Sequence, residues 1–416
     1  MTVDRSFVLA VLLLLISANV AAKEPGGSHS ALQHALEILD AAPIADGHND
    51  LPFVVREKAA GNVAQWDITG RAAGDTDIPR LRAGKVGTQF WSVYVPTGIS
   101  PADAIRQQLE QIDIAHQIIA SYPQDLGYAD SVSSIHAEHK RGRIASLLGM
   151  EGGHTLGNSL GALRAYYLLG VRYMTLTHFH SNDWADSATG EVLHQGLSPF
   201  GEQVVHEMNR LGMMVDLAHV AADTAADALE VAQAPVIFSH AAARAVVDHS
   251  RNVPDSILQR LPANGGVLMV AFIPQFVSDP VRIWAEELWK MQVAEARTEA
   301  ELQQMTVEYI AKNGPSPRAT IAEVADHIDH IAKVAGYDHV GIGADYYGAE
   351  NEYELVEGLE DVSTYPALFA ELIERGWTDE NLGKLASGNV LRVLAEVERV
   401  AARIDATESP SNATIE

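Results

Sequence analysis

The 416-residue chain contains no cysteine. That absence removes disulfides, thiol nucleophiles and a lipidated cysteine behind an export signal. Positive charge is also scarce, with 29 Lys and Arg against 55 Asp and Glu and a formal charge of −26. That balance argues against nucleic acid and anionic membrane surfaces as partners. Long apolar runs are missing too. The one near the start, Phe7–Ile16, falls short of the ~20 residues a membrane span needs. With Arg5 before it and Val20-Ala21-Ala22 after it, that run spells an export signal over residues 1–22, cleaved before Lys23. The tail from Glu408 to Glu416 is polar, so no hydrophobic lipid-anchor segment is expected. A periplasmic or secreted protein fits these features. Several catalytic signatures are absent as well. No Gly-x-Ser-x-Gly elbow occurs, and His206-Glu207 is followed by Arg210 where a zinc helix would need a second histidine.

Hydrophobic residues make up 47% of the chain, ample for a large core. Apolar β-rich runs recur near Pro43–Asp50, Gly87–Val95, Ile144–Glu151, Tyr173–His178, Met213–His219, Val236–His240, Gly265–Phe272 and His339–Asp345. Several are continuous rather than alternating, as parallel strands covered on both faces require. Segments with helical periodicity separate them, including Pro101–Ser121, Pro199–Leu211 and Thr320–Ala335, and Asp379–Val400 reads as a closing helix. Eight strand–helix units predict a (β/α)8 TIM barrel in a single domain, residues 23–416. Lys58–Arg82 and Phe276–Ser316 are expected as long insertions on the C-terminal rim.

At the C-terminal ends of these runs stand His48, Asp50, Glu151, His219, His240 and Asp345. Strand ends of a parallel barrel converge on one rim, so scattered residues can meet there. His, Asp, Glu, His, His is a ligand set for two zinc ions, with Glu151 able to bridge them; iron or manganese would also suit it. A salt bridge to arginine is the alternative for Glu151. Asp345, at the rim, can take a proton from water and hand it to a leaving nitrogen, or it can cap a turn. His178 is a further rim histidine, placed to polarise a carbonyl or bind its oxyanion. Arg251 can grip a carboxylate bidentately or form a structural ion pair. His327 and His330 share a helix face that is expected to be solvated. Gly341-Ile-Gly343 lacks the third glycine of a dinucleotide fingerprint.

The strings that surround these residues resemble the membrane (renal-type) dipeptidases, zinc peptidases of the amidohydrolase superfamily. They are Asp46-Gly-His-Asn-Asp-Leu-Pro52, Gly149-Met-Glu-Gly-Gly153, Leu176-Thr-His178, Asn182-Asp-Trp-Ala-Asp186, Gly196-Leu-Ser-Pro-Phe-Gly201, Asp216-Leu-Ala-His219, Phe238-Ser-His240 and Arg251-Asn-Val-Pro-Asp255. The resemblance runs in order from Ile44 to Glu396. It implies a binuclear zinc site in which His48 and Asp50 hold one ion, His219 and His240 the other, and Glu151 bridges. It further implies His178 at the substrate carbonyl, Arg251 on the substrate carboxylate and Asp345 as proton shuttle. The implied activity is hydrolysis of dipeptides, including those with a C-terminal D-residue, by water activated at the metals, in a homodimer. The same site used on another small amide, such as an N-acyl amino acid, is the alternative, and a catalytically inactive binding barrel is a third. Two departures from the family pattern concern the pocket: Tyr347 replaces a second aspartate after Asp345, and Phe276 stands where animal members place a tyrosine near the carboxylate. The missing cysteines depart as well, since animal members use theirs in disulfides.

Overall fold

Runs of Val, Ile, Leu and Met leave no polar face for solvent, so such strands are stable only when both faces are covered. The computed structural model describes residues 29–295, 299–347 and 355–415; the export-signal residues 1–22 lie outside them. The strands are β1 Ile44–Asn49, β2 Val86–Ser92, β3 Leu126–Tyr128, β4 Ile144–Glu151, β5 Val171–Thr175, β6 Met214–Asp216, β7 Ile237–Ala241, β8 Val267–Val270 and β9 Val340–Ile342. All pair in parallel. β1 lies between β9 and β2, and β2 also pairs with β4, which closes a ring of eight strands. Each strand of the ring is buried along its whole length. Helices surround it, and the expected (β/α)8 barrel is present.

β3 is additional to the eight expected runs. It pairs with Ile144–Ser146 at the foot of β4, while β5 takes the upper part of the same edge from Leu148 to Glu151. Three residues are too few to carry a periodic signal. The helices Pro101–Ser121 and Pro199–Leu211 stand where periodicity put them. Ser100 and Ser198 cap them by accepting from the Asp103 and Gly201 amides, with proline in each first turn.

Other segments depart from expectation. Lys58–Arg82 is not simply loop, since Ile78–Ala83 is a helix capped by Asp77. The insertion Phe276–Ser316, expected to hold a charged helical stretch, agrees instead, with helices over Asp279–Glu295 and Glu299–Asn313. The closing helix is interrupted by a π-turn at Lys384–Gly388 and then runs on to Asp405. His327 is fully buried rather than solvated. Its Nδ1 accepts from the Ala243 amide at 3.0 Å and its Nε2 donates to the Val277 carbonyl at 3.3 Å. Helix periodicity alone cannot say which polar residue a loop will cover.

The barrel interior divides into an apolar floor and a polar rim. Ala45, Ala145, Leu147, Met214, Ile237 and Val267 come from the N-terminal parts of their strands and form one cluster with Val393, Leu394 and Val397 of the last helix. That helix therefore covers the end opposite the histidines. Burial of these side chains stabilises the scaffold by about 1.5–3 kcal/mol each. No helix among the described residues is long and apolar enough to cross a membrane.

Candidate active site

The rim residues reach the barrel mouth by two routes. His48, Glu151 and His240 lie within β1, β4 and β7, so the pleat aims them. His178, His219 and Asp345 lie just beyond strands that end earlier than expected, at Thr175, Asp216 and Ile342. His219 and Asp345 adopt left-handed backbone, with φ of 66° and 65°. Non-glycine residues held there cost of order 1–3 kcal/mol each and mark sites where side-chain direction outweighs local comfort. Asp50 begins the next helix as its N-cap, yet its side chain makes no capping bond and stays free.

Of the eight expected site residues, Asp345 is partly buried and the others are buried; all but Arg251 gather around Glu151 and His48. Glu151 Oε1 lies 3.0 Å from His219 Nε2, 3.3 Å from His240 Nε2 and 3.4 Å from His178 Nε2. Its other oxygen faces His48 Nε2 at 3.6 Å. His48 Nε2 also stands 3.4 Å from Asp50 and 3.9 Å from Asp345. No arginine pairs with Glu151 among the described residues, so the salt-bridge alternative falls. Three groupings bring their donor atoms within 4.8 Å of one another: His48, Glu151 and His240; Glu151, His178 and His219; and His48, Asp50 and Asp345.

Proton accounting shows that these donors suit a cation. The Tyr173 hydroxyl has one proton, which it donates to the Gly47 carbonyl at 3.0 Å. The 2.9 Å contact between Tyr173 and His48 Nδ1 must then be donated by the imidazole. That leaves the His48 Nε2 lone pair facing three carboxylates, buried and without a hydrogen bond. His240 follows the same logic. Ser239 donates to Asp216 at 2.6 Å, so His240 Nδ1 donates to Ser239 at 2.9 Å and Nε2 is left as a lone pair. Asp216 is itself held by four donors, from Thr175, Ser239 and the Ala218 and Ser239 amides. Such partners orient metal-binding imidazoles.

Electrostatics agree. Burial, Arg251 and His178 hold His219 well below the usual imidazole range, and burial and His48 do so for His240. His48 differs: against burial, Tyr173, Asp50 and Glu151 hold it well above that range, so without a cation its Nε2 takes up a proton. One proton on His48 cannot satisfy Asp50, Glu151 and Asp345 together, whereas divalent metal can.

Arg251 lies apart from this knot. It is buried, and its Nε and one terminal nitrogen have no hydrogen-bond partner. Burial lowers its guanidinium to about 10, with Asp345, Glu151 and Asp216 opposing that shift. The carbon of the guanidinium sits 5.2 Å from the Phe276 ring centroid. Asp345 is raised to about 7, first by burial and then by Asp50 and Glu151, with His48 and Arg251 opposing.

The sequence pattern of the membrane dipeptidase family (Peptidase family M19) matches residues 32–408. The chain belongs to the membrane dipeptidase family. Mouse Dipeptidase 3 is 41% identical over 373 residues, covering 88% of this chain and 67% of that protein. The crystal structure of the probable dipeptidase PvdM from Pseudomonas aeruginosa superposes with a TM-score of 0.78 at 26% identity, over 89% of this chain and 99% of that one. A metallo peptidase from Rhodobacter sphaeroides, liganded with a phosphinate mimic of L-Ala-D-Ala, shares the fold with a TM-score of 0.71 at 22% identity, over 86% and 99% of the two chains.

As a membrane dipeptidase the chain is a metallopeptidase, a hydrolase that cleaves dipeptides, and two of its departures acquire a physical reading. Tyr347 turns away to the loop after β1, donating to the Ala73 carbonyl at 2.9 Å with its ring packed where a Cβ on Gly74 would collide. Phe276 lies against Arg251, so a ring face meets the guanidinium where a hydroxyl was expected in animal relatives. Sequence reasoning missed Tyr173, Asp216 and Ser239, although a carboxylate inside an apolar strand was a visible signal that something polar must satisfy it. Glycines carry part of the design. A Cβ on Gly149 would strike the Tyr173 phenol, and one on Gly343 would strike the Ser239 carbonyl. The Gly-x-Gly of β9 therefore serves close strand approach.

Proposed function

We propose that this centre hydrolyses dipeptides with two zinc ions, His48 and Asp50 holding one, His219 and His240 the other, and Glu151 spanning both. The single observation that carries this reading is His48 Nε2, buried and without a hydrogen-bond partner, directed at the three carboxylates of Asp50, Glu151 and Asp345. The two oxygens of Glu151 face different histidines, which supports the bridging role. Zinc, when bound, supplies Lewis-acid activation of water and of the scissile carbonyl at neutral pH.

The chain's own residues do the rest. Arg251, buried with two nitrogens unpaired, takes the substrate carboxylate and fixes the C-terminal end. His178 donates to the carbonyl oxygen as negative charge grows there. Asp345, raised to about 7, accepts the proton of the attacking water and returns it to the departing amine, since a group titrating near the working pH both takes and gives protons readily. Family resemblance extends the reading to C-terminal D-residues and to a homodimer. Composition extends it to an exported protein, one domain over residues 23–416 after removal of residues 1–22.

The test is hydrolysis of L-Ala-L-Ala, L-Ala-D-Ala, a tripeptide and N-acetyl-alanine, with metal content measured on the same sample and a chelator control. Chelator-sensitive cleavage of dipeptides alone, with two zinc ions per chain, is the expected result. Cleavage of N-acetyl-alanine in preference to dipeptides would overturn the substrate.

A further inference from the structure

Phe179 is an aromatic residue that the proposed mechanism leaves unused, and it stands immediately after His178. Its ring packs edge-on against His178, with centroids 4.1 Å apart, and lies 5.6 Å from His219. Yet 52% of the residue remains exposed. The ring is thus in contact with the site histidines on one side and open to solvent on the other, where a bound side chain could cover it. The exposure is built in. Thr189 donates to the Phe179 carbonyl at 2.8 Å and Ser187 to the His178 carbonyl at 2.5 Å. Gly190 passes Ser181 so closely that a Cβ there would collide with its backbone amide. The loop is laced shut behind the ring, so its position is set before any ligand arrives.

Topology says which end of a substrate meets it. Phe179 follows β5, His219 follows β6 and Arg251 follows β7, three neighbouring strands of the ring. A peptide with its carboxylate on Arg251 and its carbonyl at His178 carries its C-terminal residue over β6, beside Phe179. The other face of His178 is closed by Tyr94, beyond the end of β2, with ring centroids 4.6 Å apart. β2 pairs with β1 and β4, on the far side of the ring.

We infer that Phe179 is a specificity-determining residue that favours dipeptides whose C-terminal residue carries a bulky apolar side chain. The inference rests on the dipeptide-hydrolase reading above. Its physical content is mutual burial of the exposed ring and that side chain.

The experiment compares kcat/KM for Ala-Ala, Ala-Leu and Leu-Ala in the zinc-loaded wild type, Phe179→Ala and Phe179→Leu. Wild type is expected to prefer Ala-Leu over Ala-Ala. Phe179→Ala should lower that ratio roughly tenfold, the scale of one apolar side-chain contact, and Phe179→Leu should restore part of it. Equal losses on all three substrates would overturn the inference in favour of a prop for His178. A change confined to Leu-Ala would overturn it by placing the ring at the amino-terminal residue. Wild type cleaving Ala-Ala and Ala-Leu equally well would overturn it while leaving dipeptide hydrolysis standing, whereas no cleavage of any dipeptide would sink both.

Discussion

The phenol of Tyr173 donates to the Gly47 carbonyl and so obliges His48, two atoms further along the same hydrogen-bond chain, to donate from Nδ1 and present Nε2 as a lone pair. A strand residue on β5 thus decides the tautomer of a histidine on β1. Removing the oxygen while keeping the ring isolates this effect. Tyr173→Phe is expected to weaken metal binding at the His48 half of the site by roughly 10–100-fold, read by competitive zinc titration, with the melting temperature of the metal-free protein little moved. Unchanged affinity for both ions would refute the tautomer argument.

The ligand set proposed above leaves out Asp345, whose carboxylate stands 3.9 Å from His48 Nε2. Asp345→Asn should therefore keep metal content near wild type while turnover falls by on the order of 10²–10⁴, the usual worth of a positioned acid–base group. Paired metal analysis and kinetics decide it. Loss of zinc in this variant would assign Asp345 to holding metal rather than moving protons.

Arg251 is a buried guanidinium with unpaired nitrogens, a feature that burdens the free protein. Arg251→Met keeps the stem and its contact with Phe276 while deleting the charge. The expected outcome is opposite signs: a melting temperature higher by about 2 °C or more in the metal-free protein, and a KM for dipeptides raised at least about tenfold. Calorimetry showing a lower melting temperature would mean the charge is already compensated by Asp345 and Glu151.

His327 offers a pH test remote from the metals. Burial holds it at about 4, against an ordinary 6.5, and its Nδ1 must stay unprotonated to accept from Ala243. The folded value is the lower one, so its contribution is fully present above about 6.5 and is lost as pH falls toward 4. The shift corresponds to roughly 3 kcal/mol at most. His327→Gln should be less stable than wild type at pH 7.5, with the gap closing by pH 4.5. Denaturant melts at the two pH values measure it, and a gap constant with pH would show that His327 does not titrate in this window.

The barrel was legible because it depends on local pattern. Continuous apolar runs such as Ile144–Met150 can be stable only as strands covered on both faces, and eight of them alternating with amphipathic helices leave few topologies. The candidate metal-site residues were legible for a related reason. A charged or imidazole side chain ending an apolar run must find a polar partner, and strand ends share one rim. Chemistry at a strand terminus survives in the sequence because its address is set by its own neighbours.

What lay beyond the sequence depends on contacts between distant segments. Nothing near residue 173 says that its phenol reaches Gly47, because that meeting needs Gly149 to let the ring past β4. Nothing near residue 327 says that a loop following β7 will cover it. Short β3 is held by its pairing with the foot of β4. The sequence by itself determined the strand–helix order, the scarcity of positive charge and the residue types able to hold metal. Only the tertiary structure decided which lone pairs point where, which rings stay exposed and which imidazoles are neutral, since hydrogen bonding and desolvation depend on neighbours that the chain brings together after folding.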